Sequence, residues 1–499
     1  MASSVASCLS SVGYDMPRAF DVMPLLEIDG IVEALTAQLQ DVGSAALYCP
    51  REAPTRVSER QHEETIKEKW LFSGPVPVCS PDGKYIAAAT EYRLVVRDAL
   101  TTQVVQIYSC IDKISGVQWC PNSTYILCGL VKRAIVQVWS VIEPDWTCKI
   151  DEGLAGAEAV HWSPDGLHIL VTADFQIRIT IWSLASKSFV YISGPKHATR
   201  GIKFSPDGKY MAVAERKECK DIISMYTCSS WSLVHQFPIN TSDLEDLAWS
   251  PDCACLVAWD TCLTYKLVVC TPQGEILTVY SAYPNALGIK SVEWSPSGQM
   301  LAVGSFDQEA WILNHATWSP LAVLGHPQSI TSPEDAVIYK EIADISTAAS
   351  QVPTKAAKSH YIVCQLPVKV TQQKVPLDKP NVRLGVGRVC WSKDGKYLVS
   401  INENMATTVW IWDMQKLQLA AVLLQTSKVT DVSWDTQRSR LLICTGSSII
   451  YLWSPDGASC VHVPLSGFEA CSAVWGPEGR KLVLSDRDAY CCAYLEQSK

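Results

Sequence analysis

One motif recurs so regularly that it dictates the fold. A short apolar strand ending in an aromatic residue, then a Ser-Pro-Asp-Gly type turn, then a second apolar strand return along almost the whole 499-residue chain. The clearest copies are Cys79-Ser80-Pro81-Asp82-Gly83, Trp162-Ser163-Pro164-Asp165-Gly166, Phe204-Ser205-Pro206-Asp207-Gly208 and Trp391-Ser392-Lys393-Asp394-Gly395. Weaker copies begin at Trp119, Trp249, Trp294, Trp434 and Trp475, which makes nine. Successive copies stand 40 to 45 residues apart, except for one interval of 97.

The chemistry of the unit is that of a β-hairpin. Proline presets φ for the turn, aspartate bonds the backbone ahead of it, and glycine accepts positive φ. The neighbouring strands alternate, as in IVQVWS at 135–140 and IRITIWS at 177–183, where β-branched residues recur at period two. A Trp-Ser or Trp-Asp pair such as Trp412-Asp413 closes the third strand. A period of this length, made of four short strands, is that of a WD repeat, one blade of a propeller. The expected fold is therefore all-β: a WD-repeat β-propeller, one large ring of eight to nine blades closed by the chain ends. A seven-bladed ring with extra blades, or two incomplete rings, is the alternative. A further Trp453-Ser454-Pro455-Asp456-Gly457 follows Trp434 too closely to start a blade, and is assigned to the turn between third and fourth strands.

Closure is legible at the two ends. The last copy supplies three strands, and Lys69-Trp70-Leu71-Phe72 is a strand without a blade that would cover the open edge. The propeller is thus placed at 67–497, behind a mostly disordered extension at 1–66. Within that extension Leu25, Ile28, Ile31, Val32, Leu35, Leu39 and Val42 fall at the spacing of one amphipathic helix. The long interval contains an insertion at about 326–384, whose AVIYKEI and HYIVCQLPVKV runs read as edge strands or one degenerate blade.

The remaining features exclude more than they assign. A net charge of −9 argues against a global electrostatic grip on nucleic acid or an anionic membrane. The apolar runs fall short of the roughly 18 to 20 residues of a membrane span. The N-terminal residues lack the basic start and apolar core of a secretory signal. The 20 cysteines are scattered through strand-like segments and read as reduced core thiols of a cytoplasmic protein. No phosphate-binding glycine loop, His-Glu-x-x-His, nucleophile elbow or Cys-x-x-Cys occurs, so no catalysis, metal or cofactor is expected. What stands out is a set of charged loops joining second to third strands, or one blade to the next, which share one face of a propeller. Tyr92, Arg93, Lys132, Arg133, Asp151, Glu152, Arg216 and Lys217 are the candidate partner-binding residues, on a surface of mixed charge.

Five strings are more specific than the repeat itself: YRLVVRD at 92–98, CKIDEG at 148–153, WDTCLTYK at 259–266, SAYPNALGIKSVEWSPS at 281–297 and ILNHATW at 312–318. They resemble the family of centrosomal WD-repeat proteins encoded antisense to a tumour-suppressor-family transcription factor gene, with fungal relatives at the spindle pole body. The resemblance covers residues 69 to 496. It implies a non-enzymatic scaffold at centrosomes and spindle poles that helps anchor microtubule minus ends, with roles in spindle assembly and early cilium formation. The partners it implies are a coiled-coil centrosomal adaptor of the synovial-sarcoma-breakpoint-interacting family, a minus-end-directed kinesin and the minus ends themselves. Two other classes are weighed against it. A ribosome- or RNA-associated propeller would want a basic face or a stacking platform, which the acidic balance disfavours. A ubiquitin-ligase substrate receptor of the WD class usually shows Trp-Asp-x-Arg, whereas Trp259-Asp260-Thr261-Cys262 and Trp412-Asp413-Met414-Gln415 lack the arginine.

Overall fold

A computed structural model describes residues 47–48, 69–331, 336–343, 359–376 and 382–495. The helix expected at residues 25–42 lies outside them. Among the described residues nine sheets of antiparallel hairpins follow one another along the chain, seven of four strands, one of five and one of six, and a tenth, two-stranded sheet pairs Ser329–Ile330 with Val368–Lys369. We number them as blades 1 to 9: 78–109, 116–151, 159–193, 202–238, 244–280, 289–325, 386–424, 431–462 and 472–495. Each sheet packs its apolar faces against those of its two neighbours, and blade 9 packs on blade 1 through Val483, Tyr490, Cys492, Ile86 and Ala88. The ring is therefore single and has nine blades, and the seven-bladed and two-ring alternatives do not hold.

The recurring aromatic does more than fill the core. In blade 2 the indole of Trp119 donates to the main-chain oxygen of Val78 in blade 1, at 3.1 Å. In blade 3, Trp162 donates to Gln118 of blade 2 at 3.2 Å, and Trp249, Trp391, Trp434 and Trp475 repeat the contact at 3.0 to 3.2 Å. Each acceptor is the residue just before the previous blade's marker, so the indoles form a belt that stitches first strand to first strand. Phe204 and Cys79 have no indole N–H to offer, and the indole nitrogen of Trp294 is buried without a partner. A net worth of about 1 kcal/mol per bond adds to several kcal/mol of burial at each tryptophan.

The turn chemistry holds as expected. Ser80 Oγ donates to Asp82 Oδ1 at 2.6 Å and accepts the Tyr85 N–H at 2.9 Å, while Asp82 accepts the Lys84 N–H. Gly83 sits at φ +73°, where any Cβ is strained and would also meet the Pro477 ring. These bonds hold the turn carboxylates below their usual range, Asp207 to about 2 through Ser205 and the Lys209 N–H. Ser454–Gly457 is the third-to-fourth-strand turn of blade 8.

At the seam, Trp70–Leu71 pairs with Tyr490 and Ala489 of blade 9, and Phe72 N–H donates to Asp488 O at 2.8 Å. Leu47–Tyr48, which sequence reasoning left in the extension, pairs lower down with Leu495 and Tyr494. The fourth strand of blade 9 thus comes in two pieces from the other end of the chain. The seam lacks an indole bond because Cys79 occupies the marker. In its place Lys481 Nζ donates to Gly83 O at 2.9 Å, and the Tyr494 hydroxyl donates to Ala99 O.

The insertion resolves into edge strands. Val337–Ala343 pairs in parallel with Gln418–Leu424, the outer strand of blade 7, and Ser359–Val363 pairs outside it, making the six-stranded sheet. Glu341 ties this addition down, accepting the Tyr451 hydroxyl at 2.8 Å and the N–H and hydroxyl of Thr426.

Candidate partner-binding face

The loops from second to third strand and from blade to blade emerge together, and around blades 1 to 3 they are bonded into one continuous surface. Cys110 N–H donates to Tyr92 O at 2.7 Å, which places the connector 110–115 against the 91–92 turn. Ile111 N–H then reaches Gln137 of blade 2, and Asp112 meets Arg133 at 2.7 Å. The next connector begins with Glu152 N–H on Ala134 O. It turns through Gly153 and Gly156, both at positive φ, and packs so close to blade 3 that a Cβ on Gly156 would collide with the Asp174 carboxylate. Gln176 of blade 3 closes the chain by donating to Glu158 at 2.5 Å.

Apolar side chains point out of this surface. Leu154 is fully exposed and Phe175 is 88% exposed, with Ile177, Tyr92, Ile111 and Val131 also open to solvent. Phe175 and Gln176 are held consecutively at φ 57° and 53°. Left-handed backbone at a non-glycine residue costs about 1 kcal/mol or more, and such strain concentrates where a side chain must be presented. Exposed single apolar residues are ordinary, whereas a run across three adjacent blades makes this the candidate interaction surface.

The charges sort along the same arc. Around the blade 1–2 junction Arg93, Lys113, Lys132 and Arg133 outnumber Glu91 and Asp112, and the Arg133 guanidinium holds the Asp112 carboxyl below its usual range. Toward blade 3 the exposed charges are Glu158 and Asp174, while Asp151 meets Lys149 at 3.5 Å. The arc is basic at one end and acidic at the other.

Six of the eight residues singled out from sequence fall on this arc, and the structure separates them by role. Tyr92, Arg93, Lys132, Arg133 and Asp151 are exposed. Glu152 is not: it is buried, accepts Trp182 Nε1 at 2.5 Å and Thr180 Oγ1 at 2.9 Å, and organises blade 3 from within. Arg216 and Lys217 stand in the next blade but are occupied, Arg216 with Asp243 at 2.6 Å and Lys217 with the buried Glu215 at 2.6 Å. Both side chains remain exposed in these pairs, as Arg133 does beside Asp112. Sequence reasoning missed Leu154 and Phe175, whose only signal was their setting as apolar residues in Gly-rich or polar loops, and it read Ile177 into the alternating strand 177–183, which in the structure begins at Arg178.

His326 shows how the interior handles polar groups. It lies on the connector from blade 6 to blade 7, donates Nδ1–H to Gln308 O at 2.7 Å and accepts the Ser400 hydroxyl at 2.7 Å, with Trp412 Nε1 on the same hydroxyl at 2.8 Å. Burial pushes its pKa down to about 4. Burial likewise pushes the Cys79 and Cys270 thiols up to about 11 and about 12, which suits packing. Among the described residues no three His, Cys, Asp or Glu side chains converge as a metal site, and no helix is long and apolar enough to cross a membrane.

Nine blades built on four-stranded sheets in one closed ring define a WD-repeat β-propeller scaffold. The family model for the WD domain, G-beta repeat, matches residues 274–312, from the outer edge of blade 5 into blade 6. The mouse WD repeat-containing protein WRAP73 is 44% identical over 443 residues, covering 86% of this chain and 96% of that protein. The chain belongs to the WRAP73 family of WD-repeat proteins. An uncharacterised WD repeat-containing protein of Schizosaccharomyces pombe is 22% identical over 451 residues, 84% of this chain and 89% of its own. Among solved structures, the C-terminal WD40 domain of Sif2 matches 87% of this chain and 99% of its own with a TM-score of 0.48 at 12% identity.

Proposed function

We propose that this protein is a non-enzymatic scaffold of centrosomes and spindle poles, which helps anchor microtubule minus ends and serves spindle assembly and early cilium formation. The observation that carries the scaffold reading is the arc over blades 1 to 3: a rigid surface of apolar tips between ordered charges, which suits binding and offers no convergent catalytic set. The seat at the centrosome rests on the five family-like strings, two of which reach loops of this arc and two more the equivalent loops around blade 5. In this reading the face takes up a coiled-coil centrosomal adaptor of the synovial-sarcoma-breakpoint-interacting family, and a minus-end-directed kinesin and microtubule minus ends join the assembly. The protein acts in the cytoplasm, on the cytoskeleton.

Proximity labelling from the full-length chain in dividing cells, together with imaging against a spindle-pole marker, tests this. The expected result is focal signal at both poles and a list led by centrosomal coiled-coil proteins. Diffuse signal with a list led by ribosomal proteins would overturn the reading in favour of an RNA-associated propeller.

A further inference from the structure

The arc has a direction, and the direction says what kind of partner segment it fits. We infer that the surface over blades 1 to 3 binds one amphipathic α-helix of a partner, laid with an acidic N-terminal half over the blade 1–2 junction and a basic C-terminal half over blade 3. This deepens the scaffold reading, on which it rests, by specifying the recognised element.

Three observations lead there. First, the loops that carry the apolar tips are bonded to one another through their main chain, as at Cys110 to Tyr92, Glu152 to Ala134 and Gly156 to Gly153, so what they offer a partner there is side chains and not a strand edge. Second, the apolar tips form a series from Tyr92 and Ile111 through Val131 and Leu154 to Phe175 and Ile177, carried by loops bonded one to the next. Such a consecutive series of apolar tips is what a single apolar stripe at i, i+3, i+4 and i+7 spacing can cover. Third, the flanking charge changes sign along the series, from Arg93, Lys113, Lys132 and Arg133 against Glu91 and Asp112 at one end to Glu158 and Asp174 at the other, where the half-buried Arg178 is paired with the buried Glu152. A helix is more stable with acidic residues in its first turn and basic ones in its last, because of its dipole. Helix stability and surface complementarity therefore select the same orientation, with the N-terminus over blades 1 and 2.

The test uses the full-length protein and two synthetic peptides with a fluorescent label. Both are about 20 residues long with the same leucine stripe. One has Glu in its N-terminal half and Lys in its C-terminal half, and the other has these charges exchanged. Fluorescence anisotropy is expected to show saturable binding of the first at least tenfold tighter than the second. The paired substitution Leu154→Asp and Phe175→Asp is expected to weaken it a further tenfold or more, with unchanged thermal melting. Lys132→Glu alone should narrow the preference between the two peptides, a readout that a general loss of folding does not mimic. Lys84→Glu, on the opposite face, should change nothing. Equal affinities, preference for the exchanged peptide, or no saturable binding of either would overturn the inference. Because the assay reads helix polarity and not location, it can fail while pole recruitment stands, and recruitment can fail while it succeeds.

Discussion

Closure of the ring by the two chain ends makes a quantitative demand on residues 70–72. Phe72 is buried in the seam between blades 9 and 1, and losing an aromatic side chain from such a site costs about 3 to 5 kcal/mol. The Trp70 ring lies 5.4 Å from Tyr490, with the Arg97 guanidinium over it at 5.0 Å, and contributes about 1 kcal/mol beyond its burial. The strand pairing to Tyr490 and Ala489 and the bond from Phe72 to Asp488 add about 1 kcal/mol each. Removing residues 1–74 should therefore cost about 6 kcal/mol or more, comparable with the whole stability of many domains, and leave blade 9 with an open edge. Removing residues 1–64 takes away the Leu47–Tyr48 pairing and keeps everything else at the seam, so its expected cost is about 1 to 2 kcal/mol. Urea unfolding followed by tryptophan fluorescence, with size-exclusion chromatography for aggregates, separates the two. Phe72→Ala in the otherwise intact chain isolates the largest contribution. Equal midpoints for both truncations, with both monodisperse, would refute closure by this strand.

Other consequences follow from the interior. Trp162→Ala should cost about 3 to 5 kcal/mol, whereas Trp162→Phe should cost about 1 to 2 kcal/mol by leaving Gln118 O without its donor; similar losses for the two would remove the indole belt as a structural device. The folded pKa of His326, near 4, lies below its unfolded value near 6.5, so the stability from its neutral ring is complete above about pH 6.5 and is lost as pH falls through 4. The difference is about 3 kcal/mol, which His326→Gln should abolish in a pH series of unfolding midpoints. Glu293 has the opposite sign: burial raises its pKa to about 7, so the fold favours its neutral form below the unfolded value near 4.5 and loses that preference as pH rises through 7. Glu293→Gln should then stabilise the protein at pH 8 by up to about 3 kcal/mol and have little effect at pH 4.5; no difference between the two pH values would contradict the burial argument.

Much of the fold was legible because propellers are periodic. The Ser-Pro-Asp-Gly turn needs those residue types for its own hydrogen bonds, so its spacing counted blades directly, and the missing fourth strand after Tyr494 pointed to Trp70. The insertion was legible only as two strand-like runs, since their placement depends on a parallel pairing with Gln418–Leu424 that no local pattern encodes. The purpose of the marker tryptophan was also hidden. Its apolar setting predicted burial, but the acceptor belongs to another blade about 40 residues away. The face itself was half visible. Charge picked out Tyr92, Arg93, Lys132 and Arg133, yet charge alone does not separate a solvated loop from an internal ligand, and Glu152 proved to be the latter. Leu154 and Phe175 escaped because a lone apolar residue in a loop has no periodic signature, and only their exposure in the folded ring gives them meaning.

The central claim is that the arc over blades 1 to 3 is where this scaffold engages its partner, and recruitment of a surface variant tests it most directly. Burying Leu154 and Phe175 in an interface is worth about 2 kcal/mol or more each, enough that losing both should weaken binding by about two orders of magnitude or more. The measurement is the spindle-pole intensity of the tagged full-length chain carrying Leu154→Asp and Phe175→Asp, in cells lacking the native protein, beside Lys84→Glu and with the thermal midpoint of each purified protein. The account predicts loss of the polar signal for the paired variant, wild-type signal for Lys84→Glu and unchanged midpoints for both; full recruitment of the paired variant, or loss with Lys84→Glu instead, would contradict it.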